Sequence, residues 1–385
     1  MATSGEHSEL PHIRIAIIGG GIAGGLVAAG LLQHPNVDAH IYEASKDFWE
    51  RGAGVGLSVN ARRALDLVSP EAAKTLERAG AVPMWPDARM MMGKGPDEGK
   101  VVFELSHEVT QLVVHRAQWV REILACVPEE KKHGGKKLKS MEEKGEAIEL
   151  TFMDETSVTV DVVIGADGIH SAVRKYMFGE DSEFSKPVFA GYYHYFNVVP
   201  KEDVLAKMEP RHFVDECQYG FIGGGGLLLH DVNDNGKMIQ VLLQNPDLTR
   251  WSMFVQPNAP TYAKGNVCIM GDAAHAFEPW QGSGAGQSIE DAMLLSRMLG
   301  RVKSRSQVPA ALLAFDYVRR PRTQKIGALS RETGVIMMGQ KEGVGNDLGK
   351  LKNALTGRWD YIWDVDLPKH IQEAEDYMDR LDEQN

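Results

Sequence analysis

The chain of 385 residues is 43% hydrophobic and 25% charged, the make-up of a soluble globular protein too long for one small core. A net charge of −11 argues against a general nucleic-acid binder, whose footprint would be basic. Cys126, Cys217 and Cys268 are scattered thiols with no CxxC or His/Cys cluster, which indicates neither a disulfide framework nor a metal site and points to a reducing, cytoplasmic compartment.

From the N-terminal side, Ile15–Leu32 is an uncharged run after Arg14 that superficially resembles a membrane anchor, but three consecutive glycines weaken an inserted helix. As a soluble unit it reads better. "RIAII" (Arg14–Ile18) predicts a strand buried on both faces, followed by "GGGIAG" and a helix to Gln33. A second strand follows in "VDAHIYEAS" (Val37–Ser45), with an acid at Glu43. Gly19, Gly21 and Gly24 then form G-x-G-x-x-G in the context of a dinucleotide fold. Gly19 permits the turn, Gly21 the approach of a pyrophosphate and Gly24 close helix packing, while Glu43 is placed for a ribose hydroxyl.

Further along, "EEKKHGGKKLKSMEEKGE" (Glu129–Glu146) reads as a charged, solvated hairpin-like loop. Two apolar strands, Val160–Ile164 and Val267–Met270, each run into a Gly-flanked aspartate, Asp167 and Asp272. Both aspartates would sit at the carboxyl edge of one sheet, where open α/β sheets bind ligands; the alternative role for each is a helix N-cap. Between them, residues 184–244 alternate aromatic and β-branched residues around turn signals and predict an antiparallel sheet. Tyr193 and Tyr195 share one face of it and His194 takes the other. Ala310–Gly334 is a helical pattern interrupted at Pro321, with Arg319, Arg320 and Arg322 as a solvated stripe, and the last residues form an acidic amphipathic helix. His275 reads as a buried histidine hydrogen-bonded to backbone.

Three motifs together carry a family resemblance: the G-x-G-x-x-G segment, "GADGIHSAVR" and "GDAAHAFEPWQGSGAGQSIEDA". With "GAGVGLSVNARRAL" and "VHRAQWVREIL" they resemble the single-component FAD-dependent aromatic monooxygenases (the p-hydroxybenzoate hydroxylase-like group), with the salicylate hydroxylase-like branch nearest. The resemblance spans roughly Ile13 to Leu329. It implies a Rossmann-like α/β FAD-binding domain with an inserted antiparallel β-sheet substrate domain and a C-terminal helical region. The expected boundaries are 1–183 for the first part of the FAD domain, with 70–110 leaning to the substrate side. The substrate sheet follows at 184–255, the second FAD part at 256–330 and the helical tail at 331–385.

Carried over residue by residue, the resemblance puts Gly19, Gly21, Gly24 and Glu43 at the adenosine and pyrophosphate end of FAD. Arg116 falls at the ribityl–pyrophosphate region, Asp167 near the pyrophosphate and Asp272 on a ribityl hydroxyl. Gly282, Gly284, Ala285 and Gly286 fall beside the isoalloxazine and Pro279 on its reactive face, with Arg51 a weaker candidate. Substrate-lining candidates in the sheet are Tyr195, His212, Tyr219 and Phe221, with His230 and Tyr193 as the base relay. No metal is expected. The implied reaction is NAD(P)H- and O2-dependent hydroxylation of a phenolic or other aromatic molecule through a flavin C4a-hydroperoxide. Alternatives are epoxidation, dearomatisation or decarboxylative hydroxylation of a secondary metabolite, and a non-catalytic flavin-binding protein. The protein would be a monomer or homodimer without a membrane segment.

Two departures stand out. The strand "GYYHYFNVVP" lacks the arginine that related enzymes often use for a substrate carboxylate, and the spacing from Asp167 to Asp272 is several dozen positions short, at "LLQNPDLTRWSMFVQPNAPTY".

Overall fold

The computed structural model describes residues 12–48, 54–195, 198–200, 202–203, 206, 217–223, 225–233, 238–240 and 251–383. Arg51 and His212 lie outside the described residues.

The first strand, Ile13–Ile18, is continuous isoleucine and alanine because both its faces are covered. It lies mid-sheet, parallel to Val37–Tyr42 on one side and Val162–Gly165 on the other. Val267–Ile269 adds a further parallel strand, with Ala263–Lys264 antiparallel at that edge. Lys132–His133 closes the other edge, so the start of the charged 129–146 segment belongs to the main sheet, while Leu138–Lys144 and Ala147–Phe152 do form a hairpin. In-register pairing of Ile18 with Gly165 and Tyr42, and of Gly165 with Ile269, brings the loops after four strands to one edge.

The inserted sheet runs in the order Val198–Pro200, Met238–Gln240, Gly226–Asn233, Gln218–Gly223, Ala88–Met92, Val101–Leu105. Its pairs are antiparallel except one: Gln218–Gly223 runs parallel to Ala88–Met92, a strand far upstream that periodicity within 184–244 had no means to reveal. Val188–His194 pairs separately with Trp251–Val255.

The helix Val308–Met337 is continuous through Pro321, contrary to the expected interruption. Arg319 and Arg322, on either side of the proline, are 1% and 4% exposed and not a solvated stripe, because each is tied to buried carboxylates of the helix Gly284–Arg301. Those anchors and the packing around them hold the helix across the missing amide donor. Among the described residues no helix is long and apolar enough to cross a membrane.

Candidate functional site

The glycine fingerprint is shaped by contacts that leave no room for a side chain. Gly19 adopts φ +107°, and a Cβ there would sit 2.4 Å from the carbonyl oxygen of Ala166. A Cβ on Gly24 would lie 1.9 Å from the Gly19 carbonyl, so the helix Ile22–Leu31 can rest on its strand only with glycine at that position. Gly21 caps this helix without any side-chain partner, leaving first-turn amides directed at the loop. Glu43 follows the second strand, and its two carboxylate oxygens accept from the Gly20 amide at 2.7 Å and the Ser45 amide at 2.8 Å. Each oxygen keeps a second lone pair for a ribose hydroxyl. Beside it opens a cleft of about 360 Å³ lined by Phe48, Arg121, Leu124 and Lys132 among others. Arg116 heads the helix Arg116–Ala125 that forms one wall of this region.

Asp167 is engaged by the start of a helix. Its carboxylate accepts from the Ser171 hydroxyl at 2.5 Å and from the Ala172 and Val173 amides at 2.6 and 3.2 Å, at the start of Ala172–Phe178. Burial pushes its pKa up and these bonds oppose the shift. The N-cap itself is Ser171, whose hydroxyl accepts the Arg174 amide at 2.8 Å, and Asp167 braces that cap from four residues upstream. Asp272 differs: it is exposed at the first turn of Asp272–His275, and no described residue donates to its carboxylate.

Behind Asp272 lies a buried ionic cluster whose acids, Glu290 and Asp291, stand at the end of the motif that begins with Gly271-Asp272. Asp291 accepts the Gly271 amide at 2.9 Å, His275 Nε2 at 2.6 Å and Arg319 Nε at 2.7 Å. Its neighbour Glu290 accepts from Arg319, Arg322, Asn60 and Gln287. Burial opposes ionisation of both acids, yet His275 and Arg319 hold Asp291, and Arg319 and Arg322 hold Glu290, at about 2. His275 is buried as expected, but its partner is this carboxylate and not backbone. From the other side the buried Arg174 donates to the carbonyls of Ala273, Ala274 and Pro257, joining the loop after Gly165 to the one after Gly271. Its only sequence hint is its place three residues after Ser171 in "GADGIHSAVR".

The glycine mouth completes the cradle. Exposed Pro279 opens a turn whose carbonyl accepts the Gly282 amide at 3.0 Å. Gly282 has φ +62°, and a Cβ there or on Gly284 would meet nothing within 4 Å. The helix from Gly284 therefore begins beside open space, while Gly286 packs near Ala61 and Ala285 rests on the core.

In the strand beside the mouth a neighbouring tyrosine makes the contact. Tyr192, not Tyr193, packs on Trp280 of the mouth, with ring centroids 5.3 Å apart. Strand alternation then turns Tyr193 to the opposite face, where it is 45% exposed against Phe189, and Tyr195 is 40% exposed. The same alternation acts on Gln218–Gly223. Ile222, with Leu227 of the paired strand, joins a cluster containing Phe277 and Trp280. Tyr219 and Phe221 point the other way, and His230, opposite Tyr219, stacks on it at 5.2 Å while Arg89 donates to the Tyr219 hydroxyl at 3.1 Å. Alternation locates two faces in a sequence; it does not say which is covered. The residues missed by sequence reasoning, Tyr192, Glu278 and Trp280, adjoin residues that were named.

Comparison with known proteins matches this arrangement. Residues 237–330 fit a family model described as "FAD binding domain". A 6-methylsalicylate 1-monooxygenase of Aspergillus terreus is 35% identical, covering 94% of this chain and 91% of its own. A salicylate hydroxylase of Pseudomonas putida is 31% identical over 94% of each chain. The solved structure of a salicylate hydroxylase substrate complex superposes with a TM-score of 0.80 and 27% identity, over 95% of this chain and 98% of its own. The four converging strand ends, the glycine mouth and these relatives agree, and the chain belongs to the FAD-dependent aromatic monooxygenases of the salicylate hydroxylase branch.

Proposed function

We propose that this protein hydroxylates a phenolic small molecule at the mouth formed by Pro279–Gly286, taking electrons from NAD(P)H and one oxygen atom from O2. The observation that carries the reading is the meeting of Gly19, Glu43, Asp167 and Asp272 at one sheet edge with the open helix start at Gly284. The residues fit FAD: side-chain-free backbone where a pyrophosphate approaches, an unengaged carboxylate where a sugar-alcohol chain would pass, and open space at Gly282 and Gly284. Bound FAD supplies the redox chemistry, accepting hydride and activating oxygen.

The chain's own residues do the rest. First-turn amides around Gly21 and Gly24 would hold the pyrophosphate, Glu43 and the adjoining cleft the adenosine, and Asp272 a ribityl hydroxyl. Amides at Gly284, Ala285 and Gly286 would favour negative charge on the ring, through the helix N-terminus. Tyr192 and Trp280 would wall the reacting ring and exclude water. The 6-methylsalicylate and salicylate enzymes among the relatives support a phenol as the class of substrate. Three free cysteines support a reducing, cytoplasmic setting.

The purified protein is expected to be yellow and to oxidise NADPH faster when a phenol is present. Mass spectrometry under ¹⁸O2 should then find a single labelled oxygen in the product. A colourless protein that takes up no FAD, or a product without label, overturns the reading.

A further inference from the structure

The seam between the flavin mouth and the inserted sheet holds polar groups that the protein does not satisfy. Glu278, just before Pro279, is 7% exposed, and no described residue completes a hydrogen bond to its carboxyl. Its nearest ionic partner among the described residues is Arg331, whose Nε stands 3.9 Å away on a side chain that is 77% exposed. Facing it from the strand Val188–His194 is Tyr192, whose hydroxyl is buried without a partner. Trp280 Nε1 lies near enough to pull the pKa of both downward, against the effect of burial, yet completes a hydrogen bond with neither. Burial pushes the carboxyl of Glu278 upward, and burial followed by Glu278 does the same to Tyr192. Val188–His194 offers no lysine or arginine to balance the acid.

Buried polar groups in a folded protein are ordinarily paired, and each unpaired one costs stability. Here several such groups meet at the mouth, in a place a substrate ring would reach under the proposed function. A hydroxyl arriving there can donate to Glu278, a charge-assisted bond stronger than a neutral one. A carboxylate arriving there meets like charge, with the largely exposed Arg331 as the counter-ion of Glu278 among the described residues.

Resting on that proposed function, we infer that Glu278 is a specificity-determining residue: beside Tyr192 and Trp280 it selects phenols that direct a hydroxyl, and no carboxylate, toward the seam. The names of the relatives, salicylate and 6-methylsalicylate enzymes, supply the acid against which this preference is measured. Pockets built to pair with a substrate hydroxyl discriminate far more strongly than pockets that sense size alone.

A matched pair of probes tests this on the holoprotein: 6-methylsalicylate and 3-methylphenol, which differ only by the carboxylate. Titration followed by the flavin absorbance change is expected to show 3-methylphenol binding at least tenfold tighter. In Glu278→Gln the ratio should narrow to about twofold, chiefly because the acid binds better. Wild-type protein that binds the acid as tightly as the phenol overturns the inference, and so does an unchanged ratio in the variant. If the variant fails to load flavin, the wild-type ratio decides alone. Flavin content and NADPH oxidation of the same preparation separate the two levels. A yellow, NADPH-oxidising protein that prefers the acid sinks the specificity inference and leaves the function standing; a colourless, inactive one removes both.

Discussion

The cradle and its cover obey different rules. In the cradle, Gly19, Gly24 and Gly271 stand where backbone or neighbouring atoms would lie within 3 Å of any Cβ, so the residue type follows from geometry that tolerates one answer. In the cover, Tyr192 and Tyr193 are the same residue type one position apart, and only one of them faces the mouth. Constraints on the backbone leave a readable spacing in a sequence; constraints on which face is buried leave only a period.

That contrast can be broken most forcefully at the cluster behind the cradle. Replacing Asp291 with alanine leaves Arg319 buried beside one remaining acid and frees the Gly271 amide. A loss of about 3–5 kcal/mol in urea unfolding is expected, since removing one member of a buried ion pair strands the other charge. A change below about 1 kcal/mol would mean that the cradle does not depend on this support.

Next comes Gly24→Ala, whose methyl must displace the Gly19 carbonyl. Overpacking of this kind costs about 1–3 kcal/mol. Because the displaced groups line the pyrophosphate approach, retained FAD should fall as well. Full flavin content with unchanged stability would show that the helix has slack.

Asp272→Ala sharpens the comparison by separating binding from folding. The exposed carboxylate has no described donor, so apoprotein stability should shift by less than about 0.5 kcal/mol. FAD affinity should drop on the order of tenfold to a hundredfold, the worth of a hydrogen bond to a charged group. Equilibrium dialysis against FAD reads this directly, and undiminished retention would refute the assignment.

The pH dependence follows from the same cluster. Glu290 and Asp291 are depressed to about 2 from their ordinary values of 4.5 and 3.8, so the stability they contribute is present above about pH 4.5 and is lost as pH falls toward 2. Chemical unfolding of wild type should weaken steadily over that window, and Asp291→Asn should flatten the slope. Equal slopes would show that other carboxylates govern acid unfolding.

The smallest effect belongs to the cover's outer face. Tyr193→Ala should change stability by less than about 0.5 kcal/mol and substrate binding by less than about twofold, whereas Tyr192→Ala, on the mouth side, should weaken substrate binding severalfold. Equal effects of the two substitutions would mean that the face assignment of this strand is wrong.

The sequence alone carried the parallel sheet, the fingerprint glycines, the acid at Glu43 and the two aspartate loops, because each is a local spacing on one βα unit or strand end. It also carried the family, since the three motifs act as one set. Tertiary structure decided what local spacing leaves open. It turned Arg319 and Arg322 from an apparent solvent stripe into partners of Glu290 and Asp291, and brought Ala88–Met92 beside Gln218–Gly223. It also chose Tyr192 over Tyr193 for the mouth. Burial and pairing of that kind depend on which distant elements close over a face. An alternating strand or an amphipathic helix reads the same before that choice as after it.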